Sequence, residues 1–285
     1  MSLSPSNIEY LDKVWNFYPG CNHWEDGTCP VGEKCWAKRF AENPHFGGKK
    51  GNFAPHLILE KLLDPLRRKK PTRIGVNFTG DLFGDWVDPE YKLVIGGGKP
   101  CKDNIKTLRD YVFEIIRGCP YHQFFFLTKR PDNIAKWGKF PDNTWVGASV
   151  CNDEMLANAI DYLEDIQAKK WLSIEPLTGR LLDLDYSFYY SGVSWIVIGG
   201  WSGGKNPPQI EQVKEIIDAA DKAGIAVFLK DNLYKLLADS HPNGEPWDNT
   251  FWYDMSHLRQ EFPTVNKNLT VQPIENIEEL VVNDG

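Results

Sequence analysis

The sequence predicts an α/β protein built as a parallel β/α barrel, complete or partly open, of the TIM-like type. Three observations carry that expectation. Short apolar, β-rich runs recur along the 285 residues, amphipathic helical patterns lie between them, and polar or glycine residues follow almost every run. Strands of a parallel sheet are covered on both faces, so they read as continuous apolar stretches rather than as alternating ones. In a β/α barrel the C-terminal strand ends share one face, so polar residues placed there converge on a site.

The first strand is expected at Val14–Phe17, followed by a Gly/Pro-rich cysteine loop and a helix over Lys34–Glu42. Arg73–Phe78 is the second strand and ends in Thr79-Gly80-Asp81. A helix over Asn104–Arg117, with Ile105, Leu108, Val112 and Ile115 on one stripe, leads to the strand Gln123–Thr128 and then to Lys129-Arg130. Thr144–Val150, carrying Ser149, precedes a helix over Asp153–Gln167. Trp171–Pro176 carries Ser173 and Glu175, and Ser194–Gly200 closes on Gly199-Gly200. A helix over Glu211–Ala223 and the strand Ala226–Lys230 complete the set of seven strands. Residues 1–262 are therefore expected to form one barrel domain, with 263–285 as a peripheral tail. Asn43–Asn52 and Asp88–Asp103 interrupt the alternation, the first as a loop able to cover the site. The run Gly96-Gly97-Gly98-Lys99-Pro100 lacks the spacing of a phosphate loop.

Composition narrows the function. With 42% hydrophobic and 25% charged residues the chain is an ordinary globular one, and a net charge of −7 argues against a surface that grips nucleic acid all over. The run Arg67-Arg68-Lys69-Lys70 reads as a solvated helix end before Pro71. No apolar stretch approaches the ~20 residues a bilayer requires, and the N-terminus lacks signal-peptide regions. A cytoplasmic protein with no membrane partner is expected, in a compartment where clustered cysteines more often bind metal or react than form disulfides. Cys101, Cys119 and Cys151 are scattered and read as small buried residues.

Cys21, Cys29 and Cys35 are different, because all three fall in one loop. Three thiolates can hold three irons of a four-iron cluster and leave the fourth open. With His23 they could instead make a Cys3His zinc site, although zinc sites favour tighter, paired knuckles. Spacing alone leaves cluster, zinc and no metal open.

The ordered blocks Trp15-Asn16, Gly20-Cys21, Cys35-Trp36-Ala37, Asp81-Leu82-Phe83, Leu127-Thr128-Lys129-Arg130-Pro131, Trp145–Val150, Leu172–Leu177, Ile198-Gly199-Gly200 with Ser202-Gly203, and Phe228-Leu229-Lys230 resemble the phage Gp37/Gp68-like family, from about residue 13 to 262. That is a domain family of unknown function with a three-cysteine loop like that of radical S-adenosylmethionine (radical SAM) proteins. The resemblance implies a 4Fe-4S cluster on Cys21, Cys29 and Cys35 and S-adenosylmethionine as cofactor. It implies generation of a 5′-deoxyadenosyl radical and a reductant such as flavodoxin or ferredoxin. Trp36 takes the place of an aromatic beside the adenine. Thr79, Gly80 and Asp81 would meet the methionine ammonium, and Ser149, Ser173 and Glu175 the ribose or carboxylate. Gly199 and Gly200 would pass close to the adenine. Lys129, Arg130 and Lys230 would suit an anionic substrate, a nucleotide or nucleic acid. Two features depart from the family: five residues separate Cys29 from Cys35 where it has two, and Trp201 stands where it has glutamate. The competing readings are a non-catalytic nucleic-acid or protein-binding module with a structural metal, and a hydrolase using Asp81 and Glu175 as an acid/base pair.

Overall fold

A computed structural model describes residues 2–23, 25, 27–46, 48–49, 51–96, 101, 104–201, 207–239, 252–254 and 257–263. In chain order its elements are β1 (Ser4–Pro5), β2 (Lys13–Trp15), α1 (Trp36–Ala41), β3 (Arg73–Val76), β4 (Lys92–Val94), β5 (Ile105–Thr107), α2 (Leu108–Arg117), β6 (Gln123–Thr128), β7 (Thr144–Ser149), α3 (Asp153–Glu164), β8 (Lys169–Ile174), α4 (Leu184–Ser191), β9 (Val193–Ile198), α5 (Ile210–Ala223), β10 (Ala226–Leu229), α6 (Tyr234–Asp239), β11 (Trp252–Asp254) and β12 (His257–Leu258). All seven expected strands are present. The strand order is β1-β2-β3-β6-β7-β8-β9-β10, with β4-β5 and β11-β12 as separate pairs. The protein is thus mixed α/β with a mostly parallel sheet of eight strands. Its order ends at β1 and β10, and no pairing among the described residues joins those two strands into the expected barrel. Among the described residues no helix is long and apolar enough to cross a membrane.

The chain divides into two units at Trp145/Val146. In the first, β1 lies antiparallel to β2, while β2, β3 and β6 are parallel, with Trp15 opposite Val76 and Val76 opposite Phe126. Ile74, Val76, Phe124, Phe125 and Phe126 are all buried, as a strand covered on both faces requires. Helix α2 begins four residues later than the periodicity suggests. Ile105-Lys106-Thr107 pairs instead with Lys92–Val94, and the Thr107 hydroxyl accepts the Asp110 N–H at 3.0 Å, which starts the helix at Leu108. The expected excursion over Asp88–Asp103 thereby contains half of a hairpin; its residues 97–100, 102 and 103 lie outside the described residues. The run Arg67-Arg68-Lys69-Lys70 closes a single 3-10 turn, Pro65–Arg67, rather than an α-helix; Arg67 pairs with Asp64, and Arg67, Lys69 and Lys70 are exposed as expected. Cys119 is buried as expected, but Cys101 is exposed.

In the second unit β8, β9 and β10 are parallel, with Ile174 opposite Ile198 and Ile198 opposite Leu229. The Asn152 side chain caps α3 by accepting the Met155 N–H at 2.9 Å, and α3 stops at Glu164 rather than Gln167. Gln209 and Gln212 form a reciprocal capping box on α5, which ends at Gly224 in the left-handed region. Helix α4 was not expected. Its Tyr186, Tyr189 and Tyr190 face solvent, which erases the apolar stripe that would mark it in the sequence. Residues 264–285, and with them the expected tail, lie outside the described residues.

Candidate functional site

The cysteine loop leaves β2 at Trp15 and is tied at once to the end of β3. The Asn16 carboxamide accepts the Thr79 N–H at 3.3 Å, and the Asn77 carboxamide accepts the Tyr18 N–H at 2.9 Å. Gly20 and Gly80 then pair as a parallel bridge, with the Gly20 N–H donating to the Thr79 carbonyl at 3.1 Å. Both must be glycine for this approach. A Cβ on Gly80 would sit 2.4 Å from the Gly20 carbonyl oxygen, and Gly20 itself has φ +96°.

Beyond this bridge, a buried polar node holds the loop. His23 and Asp81, 1% and 5% exposed, meet through Nε2 and Oδ2 at 3.0 Å. The carboxylate can only accept, so Nε2 carries a proton, and Nδ1 meets the Thr28 hydroxyl at 2.9 Å. Asp81 Oδ2 also accepts the Thr128 hydroxyl and the Lys129 N–H, each at 2.9 Å, while Oδ1 accepts the Phe83 N–H at 2.9 Å. The Trp86 ring packs edge-on against His23, with centroids 4.8 Å apart. Burial alone would raise the Asp81 carboxyl. The hydrogen bond and charge of His23, with the N–H groups of Lys129 and Phe83, outweigh it and hold the carboxyl below its ordinary value. One carboxylate thus joins the cysteine loop to the ends of β3 and β6.

The three cysteines form no disulfide and are half-buried. Cys21 follows the Gly20 bridge and donates its N–H to the Phe53 carbonyl at 3.2 Å. The Cys29 N–H reaches the His23 carbonyl at 3.2 Å, and a turn through Gly32 carries the chain to Cys35, the residue before α1. Burial, together with the neighbouring charges of Asp81 and Cys29, pushes the Cys21 thiol up to about 12, against the His23 N–H and the charge of Lys129. Metal binding at Cys21 would have to displace this proton. Among the described residues, no three His, Cys, Asp or Glu side chains are gathered into a metal-holding group.

The second unit has its own cluster of strand ends. Lys230 Nζ, in a side chain that is largely buried, lies 2.7 Å from Glu175 Oε1. Asn232 exchanges two hydrogen bonds with the Gly200 backbone, accepting its N–H at 3.0 Å and donating to its carbonyl at 2.9 Å. Gly199 leaves the space this needs, since a Cβ there would meet Lys230 Cδ at 3.0 Å and Glu175 Oε1 at 3.1 Å. Ser149 and Ser173 are buried nearby in β7 and β8, and the Ser173 carbonyl accepts the Val150 N–H at 2.8 Å.

The chain matches the model of a family described as a protein of unknown function (DUF5131), over residues 5–96 and 101–256. It belongs to that family. No curated protein and no solved structure matches it. The family carries no assigned activity, so the radical chemistry implied by the phage-family resemblance is taken up below as a proposal.

In this DUF5131 chain the expected site residues fall into two groups. Cys21, Cys29, Cys35, Trp36, Thr79, Gly80, Asp81, Lys129 and Arg130 belong to the first unit; Ser149, Ser173, Glu175, Gly199, Gly200 and Lys230 belong to the second. Two cations expected to face an anionic substrate hold carboxylates instead. Arg130 pairs with Asp85 and with Asp132, the latter at 2.8 Å, and Lys230 pairs with Glu175. Asp81 meets protein donors at both oxygens. Trp36 is 50% exposed on α1, and Ser202-Gly203 lies outside the described residues. His23, Thr28, Trp86 and Asn232 were not singled out as a group by the sequence. Only the position of His23, two residues after Cys21, hinted at one of them.

Proposed function

We propose that the protein is an iron–sulfur enzyme of the radical SAM type, with Cys21, Cys29 and Cys35 as ligands of a 4Fe-4S cluster and S-adenosylmethionine as its cofactor. The observation that carries this reading is a loop of three cysteines outside any disulfide, pinned, through Gly20–Gly80 and His23–Asp81, to the C-terminal ends of parallel strands. The donors fit in kind and number: three thiols, no disulfide between them, and one position left for a cofactor. They are not drawn together in advance, so metal uptake includes a closing of the loop around Cys29 and Cys35. A bound cluster would supply one electron for reductive cleavage of S-adenosylmethionine, leading to hydrogen-atom abstraction from the substrate. The chain's own part is to seat and charge the loop. His23 and Asp81 fix its base, the Lys129 charge favours the thiolate of Cys21, and α1 starts directly after Cys35. The substrate is proposed to be a nucleotide or nucleic acid, with Lys129 at the end of β6 as the cation toward it, since Arg130 and Lys230 hold carboxylates, and a flavodoxin or ferredoxin would serve as reductant.

A second reading has one observation in its favour: the carboxylates of Asp81 and Glu175 are both engaged by protein partners. A non-catalytic nucleic-acid or protein-binding module with a structural metal would have this property. Incubation of the reconstituted, dithionite-reduced protein with S-adenosylmethionine separates the two. The enzyme reading expects 5′-deoxyadenosine to form and to disappear in C21A; cluster-loaded protein that releases none favours the module.

A further inference from the structure

We propose that α1 and its flanks form a docking surface for single-stranded nucleic acid. Trp36 and Phe40, 50% and 53% exposed, are four residues apart on this helix and so lie on the same side of it. Arg39 is exposed between them, and Lys34 and Lys49 are exposed on the flanks. Residues 34–50 contain Lys34, Lys38, Arg39, Lys49 and Lys50 against the single acid Glu42, a net +4. The whole chain carries −7, so all its other residues together carry −11. The Glu42 carboxylate accepts the Gly51 N–H at 3.0 Å. On α1 and its flanks, exposed cations are interleaved with exposed aromatic rings.

Bases have π faces and phosphates have charge, and proteins that hold single strands combine stacking rings with a cationic track. An anionic bilayer also attracts basic, aromatic segments. Membrane binding of such a segment scales with the apolar area it buries, and the exposed large apolar side chains of α1 are Trp36 and Phe40 alone. Two rings suffice for stacking on bases. The surface adjoins Cys35, yet the inference rests on α1 alone and needs no metal.

The test is fluorescence anisotropy of the full-length, metal-free protein with fluorescein-labelled mixed-sequence single strands of DNA and of RNA, titrated with NaCl. Saturable binding to at least one strand is expected, weakening with salt by a log–log slope of about −2 if three cations each contribute about −0.7. W36A and F40A should each weaken binding about tenfold, as loss of a stacking ring does. R39Q should flatten the salt slope by about 0.7. Circular dichroism melts confirm that these exposed-site variants fold. Absence of binding at low salt overturns the proposal, as does binding that all three variants leave unchanged. Binding to phosphatidylserine vesicles but to neither strand assigns the surface to a membrane and overturns it as well.

Discussion

Asp81 is the residue on which the first unit's site turns. Its Oδ2 atom meets three donors from two separate stretches of chain: His23, and the adjacent Thr128 and Lys129. Asp81→Asn would set an amide against those donors in a buried place. Breaking a buried charged network of this kind costs about 3–5 kcal/mol. Urea unfolding should show a loss of that order, and a loss under about 1 kcal/mol would mean that the node does not hold the loop. His122 is the second informative residue. Its ring is buried, Nε2 lies 3.1 Å from the Arg68 carbonyl, and Nδ1 is buried without a hydrogen-bond partner. Burial lowers its pKa from 6.5 to about 4. A folded-state value below the unfolded one means that the unfolded chain binds more protons in that interval. Stability is therefore full above about pH 6.5 and falls as pH drops toward 4, by about 3 kcal/mol in all. His122→Phe should remove this part of the pH dependence from the urea midpoint; an unchanged pH profile would contradict the assignment.

Among the elements, the cysteine loop depends on the close approach of two backbones. Gly80→Ala places a methyl group 2.4 Å from a carbonyl oxygen that belongs to the loop, so the loop or the end of β3 must shift. A destabilisation of about 1–3 kcal/mol is expected, with faster amide exchange at the Gly20 N–H that bonds Thr79. Protection at Gly20 equal to that of the parent chain would refute the bridge. Gly224→Ala, at φ +69° with nothing within 4 Å, should instead show only backbone strain of about 1 kcal/mol, without any change at the loop. The strands were legible because parallel strands buried on both faces are nearly continuous apolar runs, as in Phe124-Phe125-Phe126. The start of α2 was misplaced because Ile105 and Leu108 satisfy a helical spacing even though Ile105 lies in a strand. The capping hydroxyl of Thr107 marks the true boundary. Helix α4 escaped because its outward tyrosines look as apolar as its inward residues. The cysteines stand out by sharing one loop, while their spacing leaves cluster, zinc and no metal open; the bond between His23 and Asp81, 58 residues apart, leaves no local signal.

At the scale of the whole molecule, seven strands alternating with helices suit an open sheet as well as a barrel. The difference lies in whether the first and last strands pair, which no local pattern encodes. Charge is likewise a whole-chain property with a local exception, since the acidic molecule keeps a basic stretch beside its cysteines. The central claim is that these cysteines hold an iron–sulfur cluster. Anaerobic reconstitution with iron and sulfide, followed by metal counting and electron paramagnetic resonance after dithionite, tests it most directly. The account predicts about four irons and four sulfides per chain and a reduced-cluster signal, with the signal lost in Cys35→Ala. Tightly held zinc with no uptake of iron, or a cluster that survives Cys35→Ala unchanged, would contradict it.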